Sequence, residues 1–83
     1  MLHEPKALCV AAIGGMTLCV KAQRILLSGG IKAEVVSLLP EETRRGCAFG
    51  VAFPRTSESE AKALLRYAKI PVSQYFTKGE KGV

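Results

Sequence analysis

Apolar residues recur along this chain in two rhythms, one of strands and one of helices. Lys6 to Ile13 (KALCVAAI) is a nearly unbroken apolar run between Pro5 and Gly14-Gly15, the pattern of a strand buried on both faces. From Thr17 to Ser28, Leu18, Ala22, Ile25 and Leu26 recur at helical spacing. Lys21 and Arg24 fall on the other side, and Gly29-Gly30 supplies a stop, which predicts a helix of about three turns. Ile31 to Leu39 alternates, with Ile31, Ala33 and Val35 on one face and Lys32 and Glu34 on the other, until Pro40 ends the strand. Residues 40–46 form a polar turn of the length that joins neighbouring strands. Cys47 to Pro54 (CAFGVAFP) then reads as a third strand. Its Cys47, Phe49, Val51 and Phe53 share the core side, while Ala48, Gly50 and Ala52 leave the other side nearly bare.

Ser57 or Ser59 is placed to cap a second helix, with Glu60 three residues after Ser57 as in a capping box. Ala61, Leu64, Leu65 and Ala68 give that helix its stripe, and it closes near Ile70-Pro71. Val72 to Phe76 predicts a fourth strand, and residues 77–83 a loose C-terminal tail after a single domain spanning 1–76. The order is β-α-β-β-α-β. The two halves echo each other, since Gly30-Ile31 and Lys69-Ile70-Pro71 follow the two helices in similar positions. This order predicts an α+β ferredoxin-like sandwich, a four-stranded antiparallel sheet with two helices on one face.

Length and composition narrow the function classes. Eighty-three residues support one core, so an active site must be shallow or shared with a partner. With 48% apolar and 23% charged residues, the chain reads as globular and not as disordered. The longest weakly polar run, Ala7 to Val20, is broken by Gly14-Gly15 and falls short of the roughly 20 residues of a spanning helix. The mixed charges Glu4 and Lys6 before it do not fit a secretory signal. A cytoplasmic location is expected. The net charge of +5 favours acidic partners, although the cations are not gathered into one run.

Chemistry, if there is any, points to a cysteine. Cys9, Cys19 and Cys47 are odd in number and contain no C-x-x-C pair, against both a disulfide framework and a zinc knuckle. In the expected topology the first two strands run the same way. Gly14-Gly15-Met16-Thr17 then faces Arg44-Arg45-Gly46-Cys47 at one end of the sheet. Glycines let a ligand approach the backbone, and the helix that starts there offers unpaired N–H groups and the positive end of its dipole. A thiolate is an anion, and arginines beside it favour its ionised form. Cys47 is therefore the candidate reactive thiol, with Arg44, Arg45, Gly14, Gly15 and Thr17 as its anion-stabilising surroundings. Cys9, in mid-strand, reads as core. Cys19, in the first turn of the helix, is a candidate second thiol that either resolves a disulfide with Cys47 or fills space. No metal site or cofactor is expected, since His3, the only histidine, has no matching ligands. The Gly14-Gly15 turn lacks the lysine of a P-loop.

Two rival readings use the third strand. Arg45-Gly46-Cys47-Ala48-Phe49 partly resembles the RNA-binding signature carried on the same element order, but its parity puts Phe49 on the core side. The bare Ala48-Gly50-Ala52 face is a surface for homodimer formation.

With these residues in view, the chain resembles the small bacterial family described as selenium/sulfur carrier protein-like. The resemblance covers Leu8 to Tyr75. It rests on a strand, a loop ending in Thr17, a helix containing Lys21-Ala22-Gln23 and closing at Gly30-Ile31, a strand reaching Leu39-Pro40, and Gly46-Cys47-Ala48. It implies a carrier more than an enzyme. A thiol would hold sulfur or selenium as a persulfide or its selenium equivalent, taken from a donor protein and passed to an acceptor.

Overall fold

The computed structural model describes residues 8–39 and 48–78. Six main elements follow one another: β1 (Leu8–Gly14), α1 (Met16–Ser28), β2 (Glu34–Ser37), β3 (Phe49–Pro54), α2 (Glu58–Tyr67) and β4 (Gln74–Lys78). A short 3₁₀ turn, Arg55–Ser57, leads into α2. The strands form one sheet in the order β2-β3-β1-β4, and every neighbouring pair is antiparallel. This is the ferredoxin-like α+β arrangement that the element order predicts.

β1 is central, which explains its unbroken apolar sequence. Cys9 and Ala11 join the core between sheet and helices, whereas Val10 and Ala12 point to the opposite face. All four are buried. The helix-side core brings Cys19, Ala22 and Leu26 of α1 and Ala61 and Leu65 of α2 against Val51 and Phe53 of β3. The small residues Ala11, Ala22 and Ala61 let the helices approach the sheet closely, and Phe53, Leu26 and Leu65 fill most of the volume.

The two halves end their helices the same way. After α1, Ile31 N–H donates to the Leu26 carbonyl at 2.9 Å and Gly30 N–H to Leu27 at 3.0 Å. After α2, Ile70 N–H donates to Leu65 and Lys69 N–H to Arg66, both at 3.0 Å. These are paired Schellman closures. Gly30 has φ +83 and Lys69 φ +59. The following residues, Ile31 and Ile70, are buried in the core, so the echo visible in the sequence is a repeated structural unit.

Four expectations shift. β2 is shorter than the run 31–39, because only Glu34–Ser37 pairs with β3; Ile31 and Ala33 are nonetheless buried as the alternation requires. The capping box at Ser57 is not formed, since that side chain makes no capping hydrogen bond and the preceding 3₁₀ turn sets the entry to α2. β4 starts later and ends later than 72–76, taking in Thr77 and Lys78, which stand opposite Cys9 and Leu8. The sheet face expected to be bare is covered at Gly50 and Ala52, while Ala48 is exposed. Val10, Ala12 and Ala52 are buried there together with Leu38, and Val36 and Phe76 pack against them. Leu38 lies so close over Gly50 that a Cβ there would stand 3.1 Å from Leu38 Cδ1 and 2.5 Å from the Ala11 carbonyl oxygen.

Candidate functional site

One end of the sheet gathers the residues that the sequence singles out. Gly14 stands opposite Phe49, and Phe49 opposite Ser37, so β1, β2 and β3 reach the same level. One step further, Leu38 N–H donates to the Ala48 carbonyl at 2.8 Å. The residues that flank the segment 40–47 therefore emerge beside the turn into α1, as the topology predicts. Cys47, Arg44 and Arg45 lie outside the described residues.

The turn itself is shaped by a bulge. Pairing steps from Ala12↔Gly50 directly to Gly14↔Phe49, so Ile13 is the extra residue and the strand bends there. Gly14 takes φ +121, a conformation that side chains strongly disfavour. Gly15 caps α1 with ordinary extended backbone and no side-chain hydrogen bond. A Cβ at either glycine would meet nothing within 4 Å, so the approach to this backbone is open. The first intrahelical bond is Cys19 N–H to the Gly15 carbonyl at 3.1 Å. The amides of Met16, Thr17 and Leu18 therefore point out of the helix start without an intrahelical acceptor. No acidic residue occupies that first turn, which leaves the positive end of the dipole uncompensated from within α1. Gly15, Met16 and Thr17 are exposed. This end can receive an anion through backbone N–H groups.

Two residues that the sequence reading missed line the same end. Ser73 N–H and its Oγ both donate to the Ala12 carbonyl, at 2.9 and 3.2 Å, which fixes the entry to β4. Ser37 is exposed opposite Phe49. Only the strand register reveals them, because nothing in the local sequence of either serine distinguishes it from a loop serine.

The other two cysteines are sealed. Cys19 is fully buried in the helix-side core, so it is a packing residue at the base of the open end. Cys9 is also buried. Burial, followed by the nearby Glu58 carboxylate, pushes its thiol above the ordinary value, and Lys62 and Arg55 only partly offset this. Cys9 lies five residues before Gly14 along β1, about 17 Å away. It belongs to the far half of the sheet; Lys62 Nζ, which pairs with Glu58 at 2.8 Å, sits 4.8 Å from the centre of the ring of Tyr75, which stands opposite Ala11 in mid-strand.

The surroundings of the two rival readings are also defined. Phe49 packs against the helix-side core, and the opposite face presents Val36, Leu38 and Phe76 over small residues. Among the described residues no helix is long and apolar enough to cross a membrane, and no cluster of His, Cys, Asp and Glu has the make-up to hold a metal ion.

Comparison with known proteins gives one match. The family model described as "Putative Se/S carrier protein-like" matches residues 9–77. No curated protein and no solved structure matches the chain. The matched stretch runs from β1 into β4 and includes Cys47, and the chain belongs to this Se/S carrier-like family.

Proposed function

We propose that this protein carries sulfur or selenium on Cys47, taking the atom from a donor protein and delivering it to an acceptor. The observation that carries this reading is the burial of Cys9 and Cys19 in the core, which argues against two of the chain's three cysteines as the carrier thiol and directs the proposal to Cys47. Membership of a family described as Se/S carrier protein-like supports sulfur or selenium as the cargo class. The start of α1, open and without a side-chain cap at the end of the sheet where Leu38 pairs with Ala48, supports an anion-stabilising environment for the thiol.

In the loading step the Cys47 thiolate attacks the outer sulfur of a donor persulfide. A new S–S bond forms at Cys47 while the donor's S–S bond breaks, and the donor leaves as a thiolate. The chain gains one sulfur as a persulfide, which loses its proton to solvent to become the anion, and no external oxidant or reductant is consumed. Release to an acceptor thiolate is the same step in reverse. Arg44, Arg45, Thr17 and the backbone N–H groups next to Gly14-Gly15 stabilise the negative charge before and after transfer.

Intact mass under non-reducing conditions, after incubation with a persulfide or selenium donor, tests the reading. One added chalcogen on the wild type and none on Cys47→Ala is the expected result. An unloaded wild type, or equal loading of Cys47→Ala, overturns it.

A further inference from the structure

α1 has an outer face that nothing in the described structure covers. Met16, Val20 and Leu27 are 46%, 37% and 50% exposed. At roughly 100° per residue they fall within about 40° of one another. They form a seam about 16 Å long down the helix. Gln23 continues the spacing between Val20 and Leu27, and its amide donates to the Ala33 carbonyl at 3.0 Å, which fixes that flank of the seam. Exposed Arg24 stands about 60° round the helix from the seam's axis, and exposed Lys21 about 60° beyond it. Neither has an ion-pair partner among the described residues, where Lys62 pairs with Glu58. The sequence of α1, MTLCVKAQRILLS, contains no carboxylate. The seam begins at Met16, directly after Gly15.

We propose that this face of α1 docks an acidic protein partner, whose apolar ridge seats on Met16, Val20 and Leu27 while its carboxylates face Lys21 and Arg24. Charge complementarity selects the occupant. A partner must bring negative charge to two cations that have no ion-pair partner among the described residues, next to a narrow apolar seam, and three side chains are too few to anchor a helix in a lipid interface. Met16 suits such a contact because its flexible thioether adapts to varied surfaces. A seam of this length fits a small, transient interface. Assigning the partner as sulfur or selenium donor or acceptor rests on the carrier reading; the docking itself does not.

The test is an amide NMR titration of the whole chain with a synthetic helical peptide. The peptide carries leucines at i, i+4, i+7 and i+11 flanked by glutamates, and a control peptide has lysines in place of the glutamates. Shifts should concentrate between Met16 and Leu27 with the acidic peptide and be absent with the control. The double substitution Lys21→Glu/Arg24→Glu should weaken binding at least tenfold, and Val20→Asp should abolish it. All three positions are exposed, and retained amide dispersion checks the fold. Loading of Cys47 by glutathione persulfide should be unchanged in these variants. Failed loading of the wild type would thus count against the carrier reading alone. Shifts elsewhere, equal binding of the two peptides, or preferential binding of phosphatidylglycerol vesicles through the same residues would overturn the docking proposal. So would wild-type self-association in sedimentation that Val20→Asp removes.

Discussion

Gly14 and Gly15 sit side by side yet do different work. Gly14 holds φ +121 at a bulge, so Gly14→Ala should cost roughly 1–3 kcal/mol through backbone strain although its Cβ would have room. Gly15 has ordinary backbone and an open Cβ position at the cap of α1. Gly15→Ser should therefore keep or raise stability by a few tenths of a kcal/mol. Its hydroxyl would compete for the helix-start amides and slow loading of Cys47. Denaturant midpoints and loading rates of the two variants separate strain from chemistry. A Gly15→Ser protein that loads at the wild-type rate would remove those amides from the mechanism. Cys9 and Tyr75 give a pH dependence. Burial is the main cause raising both above their ordinary values of 9.0 and 10.0. Each favours the neutral form more in the folded chain than in the unfolded one. The stability they contribute is fully present below the ordinary values and is lost as pH climbs through the raised ones. Urea midpoints should therefore hold steady from neutral pH to about 8 and fall above about 9, with a shallower fall in Cys9→Ala/Tyr75→Phe.

At the scale of elements, periodicity read both helices and the central strand closely, because α1, α2 and β1 each bury a face or faces that the sequence marks. Edges and caps were less legible. β2 and β4 are edge strands whose ends depend on how far β3 and β1 extend beside them, and that is not written in their own residues. The Ser57–Glu60 spacing has the right form for a capping box, but a 3₁₀ turn through Arg55–Ser57 delivers the chain to α2 in another way. Ser57→Ala should accordingly change stability by less than about 0.5 kcal/mol, where a working cap would cost about 1. Gly50→Ala should be the opposite case. Its Cβ would stand 2.5 Å from the Ala11 carbonyl oxygen in the middle of the sheet, and backbone there cannot move without disturbing two strand pairings. A loss of about 1–3 kcal/mol is expected from thermal or urea unfolding.

For the molecule as a whole, the topology carried most of what was legible about the site. The element order alone put the Gly14-Gly15 turn at the end of the sheet from which the segment before Ala48 emerges, and the register of Gly14, Phe49 and Ser37 agrees. The fate of Cys19 was not legible, since a first-turn position is open to solvent or core depending on how the helix rotates on the sheet. It is fully buried. The second sheet face is less bare than its own residues suggest for a related reason: Gly50 and Ala52 are small, but Leu38, just past β2, and Phe76 of β4 pack on that face, while Ala48 stays exposed. Two sealed cysteines and membership of a family described as Se/S carrier protein-like direct the proposed function to Cys47. The most direct measurement loads the native protein from a persulfide donor, traps persulfides by alkylation and maps the label by peptide mass. Label on Cys47 with Cys9 and Cys19 unmodified until the chain is unfolded is the predicted result. Label on Cys9 or Cys19 in the native protein, or none on Cys47, would contradict it.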